Sequence, residues 1–261
     1  MINAGLVLVH GMGHQDAGWS GKMQQALKSS LPNLNINPVF YETLYSDLVE
    51  GKTFQAVFAK KTRDLTPTDI KVMFNVQRME AAIGLAVAKM APSDVSRKGF
   101  SDEAIDIFNN LMRYVAGYLF NNRLKSQINT RIRKALADAS TAAGRDGRVL
   151  LIGHSLGSVV SWSVATDNNY PLPDRFYKLV TLGSPLGFLE SIDIIKPNKA
   201  PYYWANVSAP GDIVSAIGVD DPPFSSDKGL VALRVRRVSS DPHGSLINDA
   251  GVVADWMPML A

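Results

Sequence analysis

Val149-Leu150-Leu151-Ile152-Gly153-His154-Ser155-Leu156-Gly157-Ser158-Val159-Val160 is the stretch that decides the fold. Four apolar residues in a row read as a strand buried on both faces, and 158–164 reads as a helix. Between them stands Gly-His-Ser-Leu-Gly, a nucleophile elbow. A strand that enters a helix through one tight turn forces the turn residue, Ser155, into a strained backbone conformation. The turn lifts its hydroxyl above the sheet and aims the first amides of the helix at whatever it attacks. Gly153 and Gly157 answer a steric need, because strand and helix backbones pass too close for a side chain at either position. The strand before and the helix after, more than the five letters themselves, mark Ser155 as a nucleophile position.

The 261 residues are 46% hydrophobic, enough to bury the core of one large α/β domain. The formal charge of +3 is a slight excess of Lys and Arg over Asp and Glu and gives no argument for nucleic-acid binding. With no cysteine, disulfides, thiol nucleophiles and cysteine metal sites are excluded. No metal-ligand spacing, phosphate loop or dinucleotide fingerprint is visible. Met1-Ile2-Asn3-Ala4 runs straight into an apolar strand without a basic leader, and no segment approaches the ~18 apolar residues of a membrane span. The expectation is a soluble, cytoplasmic protein.

Periodicity predicts a buried strand over 5–9, a helix over 19–30 and a second strand over 36–41, so the chain opens β-α-β. From 44 to 122 the pattern turns helical, with apolar spacing in 72–90 and 105–120 broken by Ala91-Pro92-Ser93-Asp94; it reads as a cap-like insertion. A long amphipathic helix over 123–143 leads into the strand that feeds Ser155. Strands follow at 178–182, 202–208 and 230–238, and one apolar helix over 245–257 ends the pattern. Strands alternating with helices predict an α/β class with a mostly parallel sheet of about six strands, helices on both faces and a helical insertion.

A serine hydroxyl needs a base within hydrogen-bond reach, normally a histidine held by a carboxylate. Of the four histidines, His154 is the neighbour of Ser155 and is set aside, and His10 in its His-Gly pair reads as backbone support. His243, in Ser240-Asp241-Pro242-His243-Gly244 after the last predicted strand, emerges at the same carboxyl edge as the elbow and is the expected base; His14 is the competitor. Asp212, in Ala209-Pro210-Gly211-Asp212 directly after the strand over 202–208, is the expected orienting acid. Glu190 and the pair Asp220-Asp221 compete with it, and a plain turn role for Asp212 is the bland alternative. His10-Gly11-Met12-Gly13 ends the first strand with a flexible backbone suited to donate the Met12 amide to an oxyanion, and Leu156, first in the helix after the nucleophile, would give the second donor.

Ser155, Asp212 and His243 in that chain order, with an HG loop after the first strand, resemble the α/β-hydrolase family, in particular its small lipases and esterases. The likeness covers about two-thirds of the chain. It implies a serine hydrolase that cleaves carboxylic esters through an acyl-enzyme, with no cofactor and no metal. It also implies a small-molecule or lipid ester as substrate. The chain departs from the family by starting at what would be its third strand, so a reduced sheet is expected, and by placing the long insertion after the next strand. Two other functions share the scaffold: an acyltransferase with the same triad, and a non-catalytic binding protein. Arg123, Lys125, Arg131, Arg133 and Lys134 on the amphipathic helix read as its solvated face, with transient membrane-surface contact as the second reading. Apolar residues of the insertion, among them Ile83, Leu85, Phe108 and Met112, read either as core or as the wall of an acyl pocket.

Overall fold

Along each central strand the apolar residues divide between two faces with period two, as a sheet covered on both sides requires. In the computed structural model, which describes residues 1–12, 15–49, 65–90, 102–197, 200, 202–216, 219, 224–237 and 239–261 (side chains at 49, 83–90, 102–105 and 107 excepted), six strands form one parallel sheet. They are β1 (Ile2–Val9), β2 (Ile36–Thr43), β3 (Arg148–His154), β4 (Phe176–Leu182), β5 (Tyr203–Ser208) and β6 (Leu230–Arg234), in the order β2-β1-β3-β4-β5-β6. The chain moves from β1 outward to β2, then returns to the other side of β1 and proceeds to β6. The order therefore reverses between β1 and β3, where parallel sheets open a crevice at their carboxyl ends. Pro38 sits in edge strand β2 opposite Ala4, a place where a missing N–H is tolerated.

Val7, Val9, Val149, Leu151 and Leu179 point into one core; Leu6, Leu8, Leu150, Ile152, Val180 and Leu182 point into the other. The second core is closed by α1 (Gly21–Ser30) and by the C-terminal helices α8 (Pro242–Asn248) and α9 (Ala250–Trp256), with Trp256 fully buried. The first is covered by α5 (Asn122–Ala143) and α6 (Leu156–Ala165). Asn121 starts α5 by accepting the Leu124 amide at 3.1 Å, and the helix buries Leu124, Ile128, Ile132, Leu136 and Ala139 along one stripe.

The segment 44–122 contains α2 (Ser46–Val49), α3 (Pro67–Met90) and α4 (Asp102–Phe120); the predicted break at 91–94 lies outside the described residues. Val72, Val76 and Met79 of α3 and Phe108, Leu111, Met112 and Val115 of α4 belong to the same core as Val7 and Leu151 of the sheet. The segment thus shares the core of the body that it joins. Arg113 of α4 reaches Glu80 of α3 at 3.0 Å, and Phe108 packs edge-on against Phe188 of α7 (Leu186–Ser191), with ring centroids 5.1 Å apart.

Three expectations are corrected. The C-terminal helix is two: Asp249 is extended (φ −104°, ψ 114°) and its carboxylate accepts the amides of Gly251 and Val252, so it caps a new helix and does not continue the old one. Strand β6 stops at Arg234, short of 238, because its one neighbour among the described residues, β5, ends at Ser208, which pairs with Arg234. Helix α1 begins at Gly21, two residues later than predicted, since Gly18 and Ser20 give their amides to the Glu42 carboxylate.

Candidate active site

Ser155 sits between β3 and α6 with φ 56° and ψ −125°, a conformation that a non-glycine residue adopts only when its surroundings hold it there, at a cost of about 1–3 kcal/mol. The surroundings are specific. The Ser155 amide donates to the Leu182 carbonyl at 2.9 Å, and its own carbonyl accepts from the amide of Ser158 at 2.9 Å and from the Ser158 hydroxyl at 2.5 Å. Ser158 Oγ also lies 2.8 Å from Ser184 Oγ, which ties the elbow to the loop after β4. A Cβ on Gly153 would overlap the Gly157 carbonyl, and one on Gly157 would overlap the carbonyls of Val9 and His10, the close approach predicted from the motif.

His243 is the second residue of α8, reached through Asp241 and Pro242. Asp241 caps that helix by accepting the Gly244 amide at 2.9 Å, which fixes the turn carrying the imidazole. The Nδ1–H of His243 donates to Asp212, 3.0 Å from Oδ1 and 3.1 Å from Oδ2. The Asp212 side chain is fully buried, whereas that of His243 is 23% exposed, so the acid lies behind the ring and the ring reaches the surface. Burial alone would raise the Asp212 carboxyl. The bonds from His243, Ser215 Oγ (2.6 Å) and the Val214 amide (2.9 Å), with the charge of His243, outweigh it and hold the group below its ordinary value. Asp212 is therefore a carboxylate at neutral pH, and with Nδ1 carrying the proton the Nε2 lone pair is free to act as a base.

The loop after β1 reaches Ser155 from the other side of the crevice. A Cβ on Gly11 would lie 3.0 Å from Cβ of Ser155, which brings the chain at Gly11-Met12 against the elbow beside the first turn of α6 at Leu156. His10 is clamped by Tyr45 from the strand-β2 side. The Tyr45 hydroxyl donates to the His10 carbonyl at 2.6 Å, the Tyr45 amide donates to Nε2 at 3.1 Å, and the rings stack with centroids 4.0 Å apart. Because Nε2 accepts, Nδ1 carries the hydrogen and donates to the Gly11 carbonyl at 2.6 Å. Burial pushes His10 down to about 4, so it stays neutral. His10 supports backbone, as its position suggested.

Glu190 lies on α7, and the carboxylate bonded to His243 among the described residues is that of Asp212. His14, Gly13, Asp220 and Asp221 lie outside the described residues. His154, set aside in the sequence, is in contact with His243: its Nε2–H donates to the His243 carbonyl at 3.0 Å and the two rings are 4.5 Å apart. A histidine directly before Ser155 carries no local signal for a partner 89 residues away. Of the basic residues on α5, Arg131 pairs with Asp47 through both terminal guanidinium nitrogens, Arg133 with Asp167 and Lys134 with Asp138. Among the described residues no group of three His, Cys, Asp or Glu is arranged to hold a metal ion, and no helix is long and apolar enough to cross a membrane.

A strained serine after β3, an aspartate after β5 and a histidine after β6 stand on a parallel sheet of order β2-β1-β3-β4-β5-β6, an arrangement that resembles the α/β-hydrolase fold. No family model matches the chain, and no curated protein matches it. Among solved structures the chain is similar to a dienelactone hydrolase from Anabaena variabilis, at 14% identity over 99% of this chain and 83% of that one, with a TM-score of 0.47.

Proposed function

We propose that the protein is a serine hydrolase that cleaves carboxylic esters. The observation that carries this reading is the His243–Asp212 pair at 3.0 Å, set at the carboxyl edge of the sheet beside a serine held at φ 56°. A buried carboxylate fixing the Nδ1–H tautomer of an imidazole that reaches the surface is the arrangement a general base requires, and a strained serine serves no packing purpose. In the reaction, His243 Nε2 takes the proton as Ser155 Oγ attacks the ester carbonyl, and the amides of Met12 and Leu156 donate to the oxyanion. Collapse expels the alcohol, which takes the proton from His243. Water, deprotonated in turn by His243, then releases the acid from the acyl-serine. No cofactor enters these steps.

The insertion supports a role in choosing the acyl chain. Phe108 of α4 meets Phe188 of the loop and helix that follow β4, five residues beyond Gly183, which lies against His243. In this reading α3 and α4 cap the serine side of the sheet and their apolar side chains receive the acyl chain, each buried methylene contributing about 0.8 kcal/mol. The test of the hydrolase reading is Ser155→Ala, assayed on chromogenic esters and with a fluorophosphonate probe. Turnover and labelling should both vanish with the thermal melt retained; labelling that survives in the variant rules the assignment out.

A further inference from the structure

We infer that His154 is a positioning residue for the base: by a hydrogen bond and a ring contact it holds His243 in the orientation that keeps Nδ1 on Asp212. The inference rests on the hydrolase reading of the triad. An elbow needs small residues two positions either side of the serine and makes no demand on the residue just before it, so the turn does not explain a histidine at 154. Its imidazole is buried, 7% exposed, and a buried polar ring is destabilising unless its nitrogens are matched. The match is the backbone carbonyl of His243, 3.0 Å from Nε2. A carbonyl only accepts, so His154 is the Nε2–H tautomer.

The rings of His154 and His243 lie 4.5 Å apart, tilted by 37°, so the base is held at its carbonyl and along one face of its ring while Asp212 holds its edge. On its other side, Nδ1 of His154 would be 3.5 Å from a Cβ on Gly11, which places the ring between the base and the loop that carries Met12. The titratable groups facing His154 are His243, Asp212 and His10. Burial first, and His243 second, push His154 down to about 3, so it remains a neutral donor while His243 takes up the serine proton.

Two variants separate positioning from packing. His154→Phe keeps a ring against His243 and deletes the donor; His154→Gln restores an N–H donor without the ring. Both are measured for kcat and KM on a chromogenic ester from pH 5 to 9 and for the rate of fluorophosphonate labelling, at matched folded fraction. The expected result for His154→Phe is a kcat at least tenfold lower with KM within about twofold, and for His154→Gln recovery of most of that loss. A His154→Phe enzyme with wild-type kcat, or a folded His154→Gln enzyme as slow as His154→Phe, overturns the inference. Should His154→Phe fail to fold, 15N spectra of the histidines in the intact protein decide. His154 is expected as Nε2–H and neutral from pH 5 to 8, and an Nδ1–H tautomer or a titration in that range overturns the inference. This readout needs no turnover, so it separates a wrong role for His154 from a wrong function, which Ser155→Ala reports.

Discussion

Gly183 and His243 are in such close contact that a Cβ on the glycine would lie 2.8 Å from both Cε1 and Nδ1 of the imidazole, and 3.2 Å from Oδ2 of Asp212. The glycine has φ 55°, and its amide donates to the Val207 carbonyl at 2.9 Å, so its backbone has little room to move away. The absence of a side chain at 183 defines the space in which Asp212 and His243 sit.

Gly183→Ala should therefore cost about 1–2 kcal/mol of stability for an L residue at positive φ and much more in activity, because the methyl group must displace the imidazole. A displacement near 1 Å is enough to lower kcat/KM about 100-fold. Urea melts together with ester turnover check both parts; a variant that keeps its turnover shows that the ring tolerates displacement.

Asp212→Asn should lower kcat by about four orders of magnitude, since the amide no longer selects the Nδ1–H tautomer of His243, while Glu190→Gln leaves kcat near that of the parent. Steady-state kinetics on one ester measures the ranking. The reverse order would transfer the orienting role to Glu190.

Acid should weaken the fold before most carboxylates begin to titrate. His10 and His154 are held down to about 4 and about 3 in the folded chain, against 6.5 for the free side chain. Between those values the unfolded chain binds protons that the folded chain refuses, so stability falls as pH drops below about 6.5. The slope with both groups engaged is up to about 2.7 kcal/mol per pH unit, and it fades once the folded forms protonate. Asp212, lowered from 3.8, adds a loss of the same sign at still lower pH. Urea melts from pH 7.5 to 4.5 should show the fall, and His154→Gln should reduce its slope to about half, His10 supplying the rest; a level profile between pH 7 and 5 would sink this account.

Leu111 and Phe108 distinguish core from pocket within the insertion. Leu111 is completely buried among core residues, so Leu111→Ala should cost about 2–5 kcal/mol and leave acyl preference alone. Phe108→Ala, which removes the edge contact with Phe188, should move the optimum of kcat/KM in an acyl-length series towards longer chains. An unmoved optimum makes Phe108 ordinary core.

What the sequence disclosed about this fold is whatever is written locally. The elbow is one such case, since Gly153, Ser155 and Gly157 each answer a constraint that acts within a few residues. The parallel sheet is another, because runs such as Val149 to Ile152 have no polar face. Asp212 is readable as an acid candidate from its place directly after a predicted strand, by the rule that loops leaving parallel strands share one edge, a rule that admits Glu190 as well. Relationships between distant segments were beyond such reading: Tyr45 clamping His10, Glu42 holding the start of α1, and His154 bonding to the carbonyl of His243 have no periodicity and no fixed spacing. The break in the C-terminal helix was legible in principle. Asp249-Ala250-Gly251 is a capping sequence, but the apolar pattern on either side of it was strong enough to hide it.

The backbone at Ser155 also bears on what would become of this chain if its chemistry were no longer needed. Glycine occupies φ 56° without the steric penalty that serine carries there, so Ser155→Gly is expected to raise the melting temperature while destroying turnover. Drift under selection for folding alone would favour glycine at 155, and a serine there runs against it. Under the proposed hydrolase reading the strained residue is what keeping a reactive hydroxyl at 155 costs the fold, and a scaffold kept only to bind would have reason to lose it.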